Sequence, residues 1–334
     1  MKVFITTCLC FLAFFATGQI TTTKIATKPK DTNVLYDSAQ NFLGEDVNKY
    51  LGQELYLNGK AQALRKYGYR DFCLDYRKDG MALSNTYKPE RPTNKDYIRL
   101  DLGGGTSVYD SLVGKYFKVL DVIKHPKAET EDYLYGDKYY LKLQEKGSGD
   151  VVYFEYSSKY DFNFPFIVVG FFEKLKKQCV GQSYVFGSTD LRFGKDELDI
   201  NTGKSVKYEL GGKWTCADVT IEEVYYSLSL ILKDKDGQAM AFGYEWVVGP
   251  KKFYDVFTAE EADKYKAKFG LDLWNTILKG KVVVGMTKEM CELAWDKPED
   301  INETIMAGKK SEQWVYTDNY LYFDNGKLTA IQKH

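Results

Sequence analysis

Histidine is almost missing from this chain: it occurs twice in 334 residues, as His125 in a Lys-His-Pro stretch and as the final residue, His334. A nucleophile–histidine–acid triad or a histidine-rich zinc site needs an imidazole held by neighbours, so neither chemistry is expected, and His125 reads as a solvated loop residue. Charge of one sign is also missing. The formal net charge is −1, which leaves no electrostatic footprint for nucleic acid or an anionic membrane. Proline is scarce, with 7 residues against 28 glycines and 27 tyrosines, a balance that favours strands and tight turns over helices. There is no G-x-S-x-G, H-E-x-x-H or Walker loop, and no long apolar run after residue 15 that could span a bilayer. Of the six cysteines, Cys8 and Cys10 lie in the first apolar run. Cys73, Cys179, Cys216 and Cys291 are scattered, and no two are within fifteen residues, so no C-x-x-C metal or redox motif is present.

What is present begins at the N-terminus. Lys2, the apolar run Val3–Phe15 and the small residues Ala16-Thr17-Gly18 read as a signal peptide over residues 1–18, cut before Gln19. Cys10 is preceded by Leu9 and followed by more of the run, so cleavage there would leave too short a hydrophobic region, which argues against a lipid anchor. The expectation is an exported protein of the periplasm or extracellular space, with thiols in an oxidising compartment. Residues 19–35, rich in Thr and Lys, read as a disordered mature N-terminus.

The chain then repeats itself. FLGEDVNKYLGQELY at 42–56 lines up with FFEKLKKQCVGQSYV at 171–185. VGKYFKVLDVI at 113–123 resembles GGKWTCADVTI at 211–221, and YYLKLQEKGSGDVVYFEY at 139–156 resembles YYSLSLILKDKDGQAMAFGYEW at 225–246. The shared order implies two related units, 36–168 and 169–250, the first lengthened by an insertion over 76–112. Each is expected to open with a short amphipathic helix and continue as strands, with hairpins turning at Lys146–Gly149 and Asp234–Gly237. The expected shape is a small β-barrel-like or rolled sheet of SH3-like type. Tyr116 and Trp214 should be equivalent, as should Tyr156 and Tyr244. Cys179 aligns with Tyr50 and Cys216 with Lys118, and two readings of that cysteine pair stay open: a disulfide, or two small buried hydrophobes.

From 251 to 334 the pattern changes. Thr258-Ala-Glu-Glu261 is a capping box, with Ala262, Tyr265 and Phe269 following at helical spacing up to Gly270. Thr287 caps a second helix through Trp295, stopped by Lys297-Pro298. Three strands follow, Gln313–Tyr316, Tyr320–Phe323 and Leu328–Ile331, with Asn325-Gly326 as a hairpin turn. Val284-Gly285-Met286-Thr287, Leu293–Pro298, Glu312–Tyr316 and Leu321–Leu328 together resemble the SmpA/OmlA, or BamE-like, family of small outer-membrane lipoproteins over about sixty residues. That resemblance implies two helices on a three-stranded antiparallel meander and a scaffold or partner-binding role without catalysis. Trp295 and Trp314 are large enough to fill the helix–sheet interface.

The fold class expected is therefore α+β and strand-rich. Carboxylates are the remaining candidates for chemistry. Asp196, Glu197 and Asp199 sit in a hydrophilic stretch that reads as solvated. Asp234, Asp236 and Gly237 begin like a calcium loop but lack its remaining ligands. Gly103–Gly105 after Tyr97–Leu102 lacks the helix a phosphate loop needs. No cofactor and no metal is called for. Two functions stay open. The first is a non-catalytic binding or scaffold protein of the bacterial cell envelope, meeting a protein or envelope component through Trp295, Tyr316, Tyr320 and Tyr322. The second is a polysaccharide hydrolase working through two carboxylates.

Overall fold

A computed structural model describes residues 35–78, 82–90, 106–187, 197–306 and 309–333. Residues 1–18, expected to be a signal peptide, the segment 19–34, Tyr97–Gly105, Asp196 and His334 lie outside the described residues. The first half contains β1 (Glu54–Leu57), β2 (Phe72–Cys73), β3 (Pro89–Glu90), β4 (Thr106–Ser107), β5 (Tyr116–Lys124), β6 (Lys138–Glu145), β7 (Val151–Ser157) and β8 (Phe166–Val168), which runs straight into helix α1 (Val169–Cys179). After α1 come β9 (Ser183–Phe186), β10 (Lys213–Ile221), β11 (Leu228–Lys233), β12 (Ala239–Gly243) and β13 (Val256–Thr258), which runs straight into helix α2 (Ala259–Phe269). The sheets are antiparallel, in the orders β2-β7-β6-β5-β1-β8 and β12-β11-β10-β9-β13, with β3 and β4 paired separately. Apart from β2, the two orders are the same when each strand is replaced by its counterpart.

The correspondence extends to single hydrogen bonds. Gly52 N donates to Val119 O at 2.9 Å and Gly181 N to Cys216 O at 2.8 Å; Val119 N donates to Gln53 O at 2.9 Å and Cys216 N to Gln182 O at 2.8 Å. Both long strands slip register at the same place, between Val119 and Asp121 and between Cys216 and Asp218. In each, the aspartate carboxylate accepts the next N–H, Val122 or Val219, at 2.9 Å. Such a bulge bends a strand and increases its twist.

This pairing corrects the alignment read from sequence. Trp214 lies opposite Tyr184 and Phe117 opposite Leu55, so the counterpart of Trp214 is Phe117, not Tyr116, and that of Cys216 is Val119, not Lys118. The Gly-Lys dipeptides misled the alignment: the matching turn glycines are Gly114 and Gly211, both at φ +76°. Tyr50 and Cys179 do correspond, since their carbonyls accept from Gln53 N and Gln182 N, each at 2.9 Å. So do Tyr156 and Tyr244, each two residues past a phenylalanine, Phe154 or Phe242, that pairs with a core leucine.

Neither sheet closes into a barrel, because the last strands, β8 and β13, are three residues long and leave as helices instead of crossing back. The helix expected at the start of the first unit is a single 3₁₀ turn, Val47–Tyr50, whereas α1 is three turns long and buries Phe171, Phe172, Leu175 and Cys179. One hydrophobic cluster runs through both sheets, from Tyr36 to Val256. The β9 strand is buried on both faces: Tyr184 and Phe186 belong to that cluster, whereas Val185 joins Phe257 in a second one.

The second cluster continues through α2, α3 (Leu271–Leu278) and α4 (Lys288–Trp295) to a meander of β14 (Asp300–Met306), β15 (Lys309–Tyr316), β16 (Asn319–Asp324) and β17 (Lys327–Lys333). The Thr258 hydroxyl accepts from Glu261 N at 3.2 Å and the Glu261 carboxylate accepts from Thr258 N at 2.8 Å, completing the capping box. Thr287 caps α4 by accepting from Met290 N at 3.3 Å. The meander has four strands, not three. In β14 the side chains Ile301 and Ile305 are exposed, at 43% and 71%, so a strand with no buried stripe left no periodic apolar signal. Among the described residues the four cysteines are free and buried, and the Cys216 thiol donates to Asp218 O at 3.3 Å. The pair Cys179–Cys216 therefore takes the second of its two readings. Among the described residues no helix is long and apolar enough to cross a membrane.

Candidate functional site

The period-2 alternation of a strand sends neighbouring side chains to opposite faces, and it divides the C-terminal sheet sharply. One face carries Trp314, Leu321, Phe323 and Leu328, all buried against the helices. Glu312 shares that face and is 6% exposed. It pairs with Lys288 of α4, lies 3.0 Å from Lys310 Nζ and accepts from Trp314 Nε1 at 3.1 Å. Burial alone would raise its carboxyl, but those bonds prevail and hold it at about 2. Glu312 thus ties helix to sheet.

The other face is open. Cross-strand partners Asn302–Gln313, Gln313–Tyr322, Val315–Tyr320 and Tyr320–Gln332 lie on it. Asn302 and Gln332 are exposed, and Gln313, Val315, Tyr320 and Tyr322 are half-buried. A hydrogen-bonded row crosses all four strands: Asn302 Nδ2 donates to Gln313 Oε1 at 3.1 Å, Gln313 Nε2 to Tyr322 Oη at 2.9 Å, and Tyr322 Oη to Gln332 Oε1 at 2.7 Å. No charged side chain interrupts this row. Amides and a phenol fixed by one another on a rigid sheet keep unused donors and acceptors aimed at solvent, the kind of preorganised polar surface that loses little entropy on binding.

The four aromatic residues expected to meet a partner are separated by this geometry. Tyr320 and Tyr322 share the open face. Trp295 and Tyr316 come together on the helix side, with ring centroids 5.4 Å apart. Trp295 Nε1 donates to Gly280 O at 2.8 Å and Tyr316 Oη to Asp296 O at 3.0 Å, so both side chains are engaged in closing the helix–sheet seam. Sequence alone did not bring out Asn302, Gln313 and Gln332. The signal was available: amides at alternate positions on adjacent strands.

A second organised region lies on the outer side of the first sheet. His125 is not solvated but 8% exposed, its ring stacked between Tyr135, 4.2 Å away and nearly parallel, and Tyr140 at 5.3 Å. Its Nδ1 accepts from Lys127 N at 3.2 Å, which leaves the proton on Nε2 in the neutral ring, and burial lowers its pKa. Tyr140 Oη donates to Glu155 at 3.2 Å, and Glu155 is paired with Lys138. Across β2–β7, Asp71 accepts the Glu155 N–H at its carbonyl, 2.9 Å away. The protein packed around Asp71, and then the charge of Glu155, push its carboxyl up to about 6, although solvent still reaches the residue.

The other carboxylates have structural roles. Asp199 is buried, not solvated: it accepts from Ala239 N at 2.9 Å, Asn201 N at 2.9 Å and Thr202 N at 2.8 Å, and so fastens its loop to β12. Glu197 is half-buried beside it. Asp234 accepts from Asp236 N at 3.0 Å and Gln238 N at 2.9 Å, as a hairpin turn requires. Among the described residues no group of three or more His, Cys, Asp or Glu side chains is placed to hold a metal ion. No family model, no curated protein and no solved structure matches the chain.

Proposed function

We propose that this is an exported, non-catalytic binding protein of the bacterial cell envelope whose C-terminal sheet meets its partner. The observation that carries this reading is the uncharged row Asn302–Gln313–Tyr322–Gln332 on the open face. A sheet face needs alternate polar positions only to stay wet; linking them across every strand fixes their positions as well. The resemblance of the C-terminal segment to a family of partner-binding envelope modules supports the same reading, as does the leader. Placing a photo-crosslinking residue at Tyr322 or Val315 tests it in the native envelope fraction. The expected result is a discrete adduct from both positions that Gln313→Arg removes without changing the circular dichroism spectrum. Adducts no stronger than those from the exposed Lys235 control would overturn it.

One observation favours a second reading. Asp71 and Glu155 are joined by a backbone hydrogen bond at the end of the β2–β7 pair, one carboxyl raised and the other paired with Lys138, the asymmetry that a two-carboxylate hydrolase uses. Release of reducing ends from envelope polysaccharide, abolished by both Asp71→Asn and Glu155→Gln, would establish it in place of the first.

A further inference from the structure

Two small residues line the seam between the second unit and the C-terminal helices. Gly211, at φ +76°, stands in the turn before β10, and Ala262 is the buried residue of α2. Between them and α3 lies a cavity of about 230 Å³. Val185, Ala262, Trp274 and Leu278, all buried, give it apolar walls. The Trp274 ring is held edge-to-face by Phe257 at 5.1 Å and stacked with Tyr265 at 5.9 Å, so this wall is formed before anything binds. The remaining lining is polar and unbalanced in charge. Lys213 of β10 lies 2.9 Å from Asp263 of α2. Lys266, further along α2, adds a second ammonium, and Asp263 is the one carboxylate among the described lining residues. Leu271, the first residue of α3, also lines the cavity. The N–H groups of a helix's first turn have no partner within it and favour an anion. Asp272 follows in that turn but is exposed and is not part of the lining.

Size and charge together select the ligand. An apolar cavity of about 150 Å³ takes up benzene, so this one accommodates a single ring or a short acyl chain with a small head group. The apolar walls call for a hydrocarbon body, because a sugar or a nucleoside would bury hydroxyls there without partners. The surplus ammonium calls for one negative charge on that body. A phosphate monoester or a dicarboxylate would bring more charge than one ammonium offsets. We propose that this seam is a binding site for a small apolar monocarboxylate, an aryl or short-chain alkanoate, with its body against Trp274 and Leu278 and its carboxylate at Lys266.

Isothermal titration calorimetry of the intact protein at neutral pH tests this, with phenylacetate and hexanoate each compared with its uncharged alcohol, phenylethanol or hexanol. Binding of at least one acid to a single site per chain is expected. The matching alcohol, and the same acid on Lys266→Gln, should each bind about tenfold more weakly, the usual cost of losing a hydrogen bond to a charged group. Lys235→Gln, at an exposed lysine outside the cavity, should leave the affinity unchanged. Ala262→Leu, which fills the cavity from α2, should abolish binding. Lys266 is exposed, so its glutamine variant keeps the fold and the test stands even if Ala262→Leu disturbs packing. No binding of either acid, equal binding of the alcohol, or undiminished binding by Lys266→Gln would each overturn the proposal. So would binding of an N-acetylated peptide ending in phenylalanine with none of phenylacetate. None of these outcomes touches the open face of the C-terminal sheet, so they leave the reading of that face to its own test.

Discussion

The two related sheets share their backbone and differ in their filling. Strand order, bulge position, the aspartate that fastens the bulge and the turn glycine coincide. The side chains between do not. Where the first unit has Tyr50 and Leu55, the second has Cys179 and Tyr184, so a large residue at the end of the helical turn and a medium one on the strand become a small one and a large one. Tyr50 uses its hydroxyl to accept from Leu43 N at 2.9 Å and donate to Asn41 O at 3.0 Å. Tyr184 lies opposite Trp214 in the β9–β10 ladder. A tyrosine is common to both pairs, so the exchange leaves a cysteine in the second unit where the first has a leucine, a smaller filling that is offset by Trp214 standing where the first unit has Phe117. The backbone devices are local and few, and they specify topology; the packing is distributed, and can drift.

The sharpest way to break this comparison is to empty the same place in both units. Phe117 and Trp214 are equivalent and essentially unexposed. Phe117→Ala and Trp214→Ala should each cost about 3–5 kcal/mol. Because one cluster contains both residues, each variant should shift a single shared unfolding transition, read by calorimetry and far-UV circular dichroism. Two separable transitions, each moved by only one variant, would show that the units fold independently.

Next in size is the hairpin carboxylate. Register makes Glu145 the counterpart of Asp234. Both organise a turn, but Glu145 is buried, with Lys115 at 3.0 Å, Lys88 at 3.7 Å, Ser148 Oγ at 2.5 Å and Gly147 N at 3.0 Å. Burial would raise its carboxyl, yet the bonds from Ser148, Lys115 and Gly147 prevail and hold it at about 2. A carboxyl depressed on folding contributes stability that is fully present above its unfolded value and lost as pH falls toward the folded one, so this contribution disappears between about pH 4.5 and 2. Glu145→Gln should cost roughly 2–3 kcal/mol at pH 7 and flatten the acid limb of the stability profile. Asp234→Asn, with only neutral partners in its turn, should cost about 1 kcal/mol or less. Equal costs at pH 7, measured by urea denaturation, would remove the distinction.

What could be read in advance follows the same division. The capping box at Thr258–Glu261, the Asn325-Gly326 turn, with φ of +48° and +79°, and the order of matching blocks are local signals, and the structure carries each of them. The offset at Trp214 was not legible, because it depends on which of Gly211 and Gly212 takes the positive φ. His125 was misread because its burial comes from Tyr135 and Tyr140, ten and fifteen residues away, which only pairing of β6 with its neighbours brings over the imidazole. The open face of the C-terminal sheet was half legible: Tyr320 and Tyr322 stand out as aromatic residues, but the amides that complete the row lie on three other strands. The fourth strand itself has too little buried surface to announce itself.

The smallest expected effect tests whether the shared backbone devices are equally constrained. Gly114 and Gly211 both sit at φ +76°, a conformation that an L-residue adopts only with strain. Their surroundings differ. A Cβ on Gly114 would meet only the Tyr56 hydroxyl, at 3.8 Å, whereas one on Gly211 would stand 3.2 Å from Leu278 Cδ1, at the seam where the second unit meets α3. The backbone strain, about 1–2 kcal/mol, is therefore common to Gly114→Ala and Gly211→Ala. Gly211→Ala adds a contact tight enough to push Leu278, a buried member of the second cluster. Chemical denaturation should rank Gly211→Ala below Gly114→Ala by several tenths of a kcal/mol. Combining Gly211→Ala with Leu278→Ala should recover that difference, beyond the cost of Leu278→Ala alone, because the crowding disappears with the leucine side chain. If the two glycine variants are indistinguishable, the seam yields freely at Leu278, and the second unit is held to the C-terminal helices less tightly than the burial of Val185 and Phe257 implies.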